Sequence, residues 1–227
     1  MVTGARMHMP TDDLTQNALL TLAQWFSPSF PIGAFSYSHG LEWFVQAGDV
    51  RDVNSFQVWL GDVLQHGAGR NDVILLAEAH RAQCVARLTE IDALASALSP
   101  SAERLLETVG QGTAFARTAS DIWGLDLAEL TLPVAVGAAA KALGIPIDPT
   151  ARLFVQAFAG NLTSAAIRLV PLGQTEGQKC LANLSECIKL TAAEGLGQTI
   201  NDLGSAAFLI DIASMRHETQ YSRMFRS

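Results

Sequence analysis

Apolar residues recur at spacings of three and four along almost the whole of this chain, and no run of them alternates with a period of two. A period near 3.6 places such residues on one face of a helix, whereas a half-buried strand needs strict alternation. Leu14, Ala18, Leu22 and Trp25 carry the helical spacing, with Asp13 placed to cap the helix and Gln16 three residues on. Pro28 and Pro31 then interrupt the chain, because proline removes a donor and disfavours helical backbone before it. A short helix over 34–47 can follow, ended by Gly48. Phe56, Trp59, Leu60, Val63 and Leu64 form a clean apolar stripe, stopped by Gly67 and Gly69. The Ala- and Leu-rich stretch 72–98 reads as two helices with a break at 84–89, and Ser99 with Pro100 opens the next helix as N-cap and first-turn proline. Pro133 opens an Ala-rich helix to about residue 143, residues 144–149 form a loop, and 150–170 is periodic again until Pro171 to Gly173. Helices over 178–193 and 199–215 complete the pattern.

This pattern predicts an all-α fold, a single-domain helical bundle of about eight to ten helices spanning 1–227. A flexible N-terminus over 1–12 and a C-terminal tail over 217–227 flank it. Charged residues make up 16% of the chain against 49% hydrophobic ones. That charge is low for a monomer's surface, so other chains are expected to cover part of it, most simply as a homodimer. The 15 basic and 22 acidic residues leave a net charge of −7, which excludes the basic face that nucleic acid requires. No apolar run approaches the roughly 18 residues of a membrane span, and residues 1–10 lack a signal-peptide core. Three scattered cysteines, Cys84, Cys180 and Cys187, do not make a disulfide framework. The expected setting is cytoplasmic.

Chemistry-bearing motifs are scarce. Cys180 and Cys187, read on one helix, stand about 10 Å apart along its axis, too far to chelate one tetrahedral ion. No two of the five histidines share a helical turn, His80 is expected to face solvent, and His8 and His217 near the ends signal a metal only weakly. Gly67-Ala68-Gly69 lacks the strand a dinucleotide fingerprint needs, and no phosphate loop is present. These absences predict no metal and no cofactor. Ser36, Ser38 and His39 are the one hydrolase-like constellation, but they do not form a nucleophile elbow. An all-α enzyme or small-ligand binder built on Ser36, His39 and Glu42 is the alternative that a deep pocket lined by these side chains would favour.

The segment 30–43 stands apart. Phe30-Pro31-Ile32-Gly33-Ala34-Phe35-Ser36-Tyr37-Ser38-His39-Gly40-Leu41-Glu42-Trp43 packs aromatics, hydroxyls, an imidazole and a carboxylate around prolines and glycines. A core segment has no need of so many polar groups, so the run reads as a recognition surface. With the preceding Ser27-Pro28-Ser29 it closely resembles the N-terminal signature of the UreF family of urease accessory proteins. Residues 217–227, His217-Glu218-Thr219-Gln220-Tyr221-Ser222-Arg223-Met224-Phe225-Arg226-Ser227, are similar to that family's C-terminal tail.

The resemblance implies an all-α homodimer without chemistry of its own that binds UreD (UreH in some systems) and the GTPase UreG. That assembly docks on apo-urease and couples GTP hydrolysis to nickel delivery. It makes Phe30, Pro31, Tyr37, Ser38, His39 and Glu42 interaction-site residues, together with Tyr221, Arg223 and Arg226 in the tail. A second role, an arginine supplied in trans to the GTPase, stays open beside this one. Tyr221, Met224 and Phe225 would share one face of a helix, which is too short to stand alone in water. The tail is therefore expected to be mobile when free and to fold as it docks on UreD. The alternative is that it packs on its own domain, with Arg223 or Arg226 bonded to the loop around Tyr37.

Overall fold

The computed structural model describes residues 16–227; the cap at Asp13, Leu14, His8 and the segment 1–12 lie outside the described residues. Among the described residues eleven α-helices follow one another: α1 (Gln16–Trp25), α2 (Leu41–Ala47), α3 (Val53–His66), α4 (Ala68–Arg81), α5 (Val85–Ala97), α6 (Ala102–Trp123), α7 (Leu132–Ala142), α8 (Ile147–Leu169), α9 (Gln174–Asn183), α10 (Ser185–Gly197) and α11 (Phe208–His217). The described residues contain no strand, as the periodicity requires. α9 and α10 meet through Leu184 alone, so the predicted 178–193 helix is two helices with a kink, and Cys180 and Cys187 do not share one.

The centre is α4 against α7. Residues Val73 to Ala77 of α4 are all buried, as are Pro133 to Ala140 of α7. A helix buried all round is apolar all round. Small side chains let the backbones approach: a Cβ on Gly137 would sit 2.2 Å from the Leu76 carbonyl oxygen, and one on Gly112 of α6 would sit 2.0 Å from that of Leu130. α8, α10, α3 and α6 close around this pair. The predicted stripe of α3 faces inward, with Phe56, Trp59, Leu60, Val63 and Leu64 all buried. Asp52 caps α3 by accepting the Ser55 amide at 2.8 Å.

Boundaries moved where local side chains outweighed the punctuation. α6 starts after Ser101 rather than Ser99, because the Ser101 hydroxyl accepts the Arg104 amide at 3.2 Å and pairs with Ser214 at 2.6 Å. Gly69 lies inside α4, where a side chain would meet Leu64 backbone at 2.7 Å, and the break after α4 falls at residues 82–84. α8 begins inside the expected 144–149 loop; Pro149 is tolerated in its first turn, where amides have no helical partner. The expected 34–47 helix is a 3-10 turn, Ala34–Ser36, separated from α2 by two left-handed residues, His39 (φ 59°) and Gly40 (φ 76°). At Gly40 a Cβ would come within 3.0 Å of the Ser214 amide nitrogen on α11, so that helix can lie directly against the turn. Residues 199–215 likewise divide into a 3-10 turn, Ile200–Asp202, and α11.

Candidate functional site

The signature segment is anchored at both ends. Phe30 is buried against Phe115 and Trp123, with ring centroids 5.6 and 6.5 Å away. Asn161 and Arg168 of α8 donate to the carbonyls of Tyr37 (3.5 Å) and Phe35 (2.9 Å). Between these anchors the main chain pairs with the tail: the Arg226 amide donates to Ser36 (2.9 Å) and the Ser38 amide to a main-chain oxygen of Ser227 (2.8 Å). The Ser38 hydroxyl reaches the same Ser227 oxygen at 2.5 Å.

Glu42, in the first turn of α2, is the hub of this seam. It is buried, and a buried carboxylate is costly unless donors satisfy it. Its Oε1 accepts the Met224 amide at 2.7 Å and its Oε2 accepts the Phe225 amide at 2.9 Å. The fully buried His217 stands beside it, with Nε2 3.4 Å from Glu42 and Nδ1 2.6 Å from Glu103 on α6. Arg223 completes the row by donating to Glu103 at 2.5 Å. Farther along, the Ser227 hydroxyl donates to Glu107, which is ion-paired with Arg104. The buried Phe225 ring lies under the Arg168 guanidinium, 4.4 Å from its central carbon.

The sequence profile of the UreF family matches residues 50–185. A protein of Ruegeria pomeroyi named urease accessory protein UreF is 51% identical over 213 residues, covering 94% of this chain and 98% of its own. One of Roseobacter denitrificans with the same name is 51% identical over 98% of each chain. A third, from Cereibacter sphaeroides, is 53% identical over 92% of this chain and 99% of its own. The chain belongs to the UreF family.

Within this UreF-family chain the signature and tail residues divide by burial. Pro31, Tyr221, Arg223, Met224 and Arg226 are exposed and Tyr37 is half-buried, whereas Phe30, Ser38, His39, Glu42 and Phe225 are buried. The polar run therefore faces the tail more than solvent. The expected helical face of Tyr221, Met224 and Phe225 does not form, since α11 ends at His217 and the Glu42 carboxylate takes two successive amides that a continuing helix would turn inward. Instead the tail lies on its own domain, and it is the Arg226 main chain, not its guanidinium, that reaches the loop before Tyr37.

Ser36, His39 and Glu42 do not line one pocket. His39 borders a cavity of about 70 Å³ with Asp72, Arg104 and Thr108. An apolar groove of about 550 Å³, walled by Trp25, Phe30, Pro31, Phe35, Phe115 and Phe154, contains neither Ser36 nor Glu42. Burial, and then nearby Arg104, hold the His39 imidazole well below its ordinary value. Burial raises the Asp72 carboxyl to about 7, against the pull of Arg104 and with a further push from Glu107. His80 is half-buried and its Nε2 lies 3.2 Å from the Ile145 oxygen rather than in solvent. Among the described residues no three His, Cys, Asp or Glu side chains gather as a metal site, and no helix is long and apolar enough to cross a membrane. Glu103, Glu107, Arg168 and the seam role of His217 had no sequence signal, because the seam partners lie far along the chain, more than a hundred residues away for Glu103, Glu107 and His217.

Proposed function

We propose that this chain is an accessory protein of urease maturation that, with UreD (UreH) and the GTPase UreG, promotes GTP-dependent assembly of the nickel centre of apo-urease. In this reading it works in the cytoplasm as a homodimeric chaperone and catalyses nothing itself. The observation that carries the reading is identity of about half the residues, over nearly the full length, with proteins named urease accessory protein UreF. Two features of the surface support a role built on contacts. Tyr221 and Met224 project from a tail that the rest of the molecule holds in one shape, with Phe35 also exposed on the segment the tail pairs with. α11 is apolar on both faces: Ile210 and Ala213 are buried, while Phe208, Leu209, Ile212 and Met215 are exposed, as for a helix another chain covers.

The test is co-purification. A tagged chain in cells carrying urease and its accessory genes should bring down UreD and UreG, and removing the chain should leave urease without nickel and inactive. Full urease activation in its absence would refute the reading.

A further inference from the structure

We infer that Glu42 is a positioning residue: it does not touch a partner, but fixes the tail in the shape that turns Tyr221 and Met224 outward. The inference rests on the reading of the tail as a partner surface.

Three observations lead to it. Glu42 is only 8% exposed, and its two oxygens each take one of two adjacent main-chain amides, those of Met224 and Phe225. In a strand successive amides point to opposite sides; here they converge on one anion, as in a main-chain nest. That convergence sends neighbouring side chains apart, Phe225 into the interior under Arg168 and Met224 into solvent. Finally, His217 is fully buried with a ring nitrogen turned to each of Glu42 and Glu103, and Arg223 holds the far oxygen of Glu103. The carboxylate is thereby braced from α6 and α11 as well as from its own helix. An amide could not replace it. Gln at this position has one acceptor oxygen, and its NH2 would face an N–H donor.

The experiment uses the full chain with Glu42→Gln, reading amide exchange in residues 218–227 and affinity for UreD. Hydrogen bonds to a charged acceptor are the strong ones, so exchange of the Met224 and Phe225 amides should quicken on the order of tenfold to a hundredfold. Affinity should fall by about tenfold or more, because a loose tail must be ordered on binding. A Tyr221→Ala change should then cost much less in the Glu42→Gln background than alone, a coupling that a generally weakened fold does not produce. Should Glu42→Gln fail to fold, Met224→Pro compared with Met224→Ala isolates the amide, since both lose the side chain and only proline loses the N–H; proline should bind more weakly. Unchanged exchange, a freed tail with unchanged affinity, additive costs, or equal binding by the two Met224 variants would each overturn the inference. Wild-type chain that does not bind UreD would sink the partner reading itself, and the inference with it.

Discussion

Asp72 should weaken the fold at neutral and alkaline pH. It stands on α4 between the small cavity and the aromatic groove, lining both. It accepts no hydrogen bond among the described residues, and Arg104, the cation that pulls its carboxyl down, is already paired with Glu107. Below about pH 4 the carboxyl is neutral in both the folded and the unfolded chain and contributes nothing. Between about pH 4 and 7 only the unfolded chain ionises, so the folded state holds the extra proton and stability falls as pH rises. Above about pH 7 both are ionised and the loss is complete. A carboxyl displaced from 3.8 to about 7 corresponds to about 4 kcal/mol. Asp72→Asn should therefore match wild type at pH 4 and exceed it at pH 8 by up to about 4 kcal/mol, or about 8 to 16 °C in melting temperature for a chain of this size. Urea titrations followed by circular dichroism at the two pH values measure the difference. A gap that does not change with pH, or an Asn variant less stable at pH 8, would show that attraction to Arg104 outweighs burial.

Gly112→Ala and Gly137→Ala should each cost about 3 kcal/mol or more, or prevent folding, since the new methyl would overlap carbonyl oxygens of Leu130 and Leu76; thermal melts decide it, and a wild-type melting temperature for either would contradict the close helix contact. Ser101→Ala should lose about 1 kcal/mol for the α6 cap, and somewhat more because Ser214 loses its partner; a change within error in urea titration would assign the cap elsewhere. Tyr221→Ala should leave stability unchanged, as the side chain is fully exposed, while weakening co-purification of UreD; a large fall in melting temperature with normal partner binding would place Tyr221 in the fold instead.

Helix identity was legible because its signal is local. The stripe from Phe56 to Leu64 needed only its own spacing, and Gly48 and the Pro171 break mark helix ends in the structure. The turn at His39 escaped because a left-handed backbone at a non-glycine residue has no dependable signature; it is held there by packing, with Phe158 5.3 Å from its ring. The site was half legible. Residues 30–43 stand out in the sequence for polar groups in an apolar run, and in the structure two of those groups, Ser38 and Glu42, are hydrogen-bonded to the tail. Partners 182 and 183 residues away in the chain leave no trace in spacing, so the seam between this segment and the tail was not legible.

The pairing of Ser38 with Ser227 closes a loop of 189 residues. Loop-closure entropy grows slowly, by about 0.6 kcal/mol for each doubling of length, so distance alone does not forbid such a contact. Its timing is another matter. The seam needs α2, α6 and α11 already in place, because Glu42, Glu103 and His217 come from one each. A contact that needs three separate helices in place is expected to close late, after the folding barrier of the helical core. Interactions absent from the transition state act on unfolding rather than folding. On that expectation, loosening the tail should speed local unfolding of this end while leaving the folding rate of the chain unchanged.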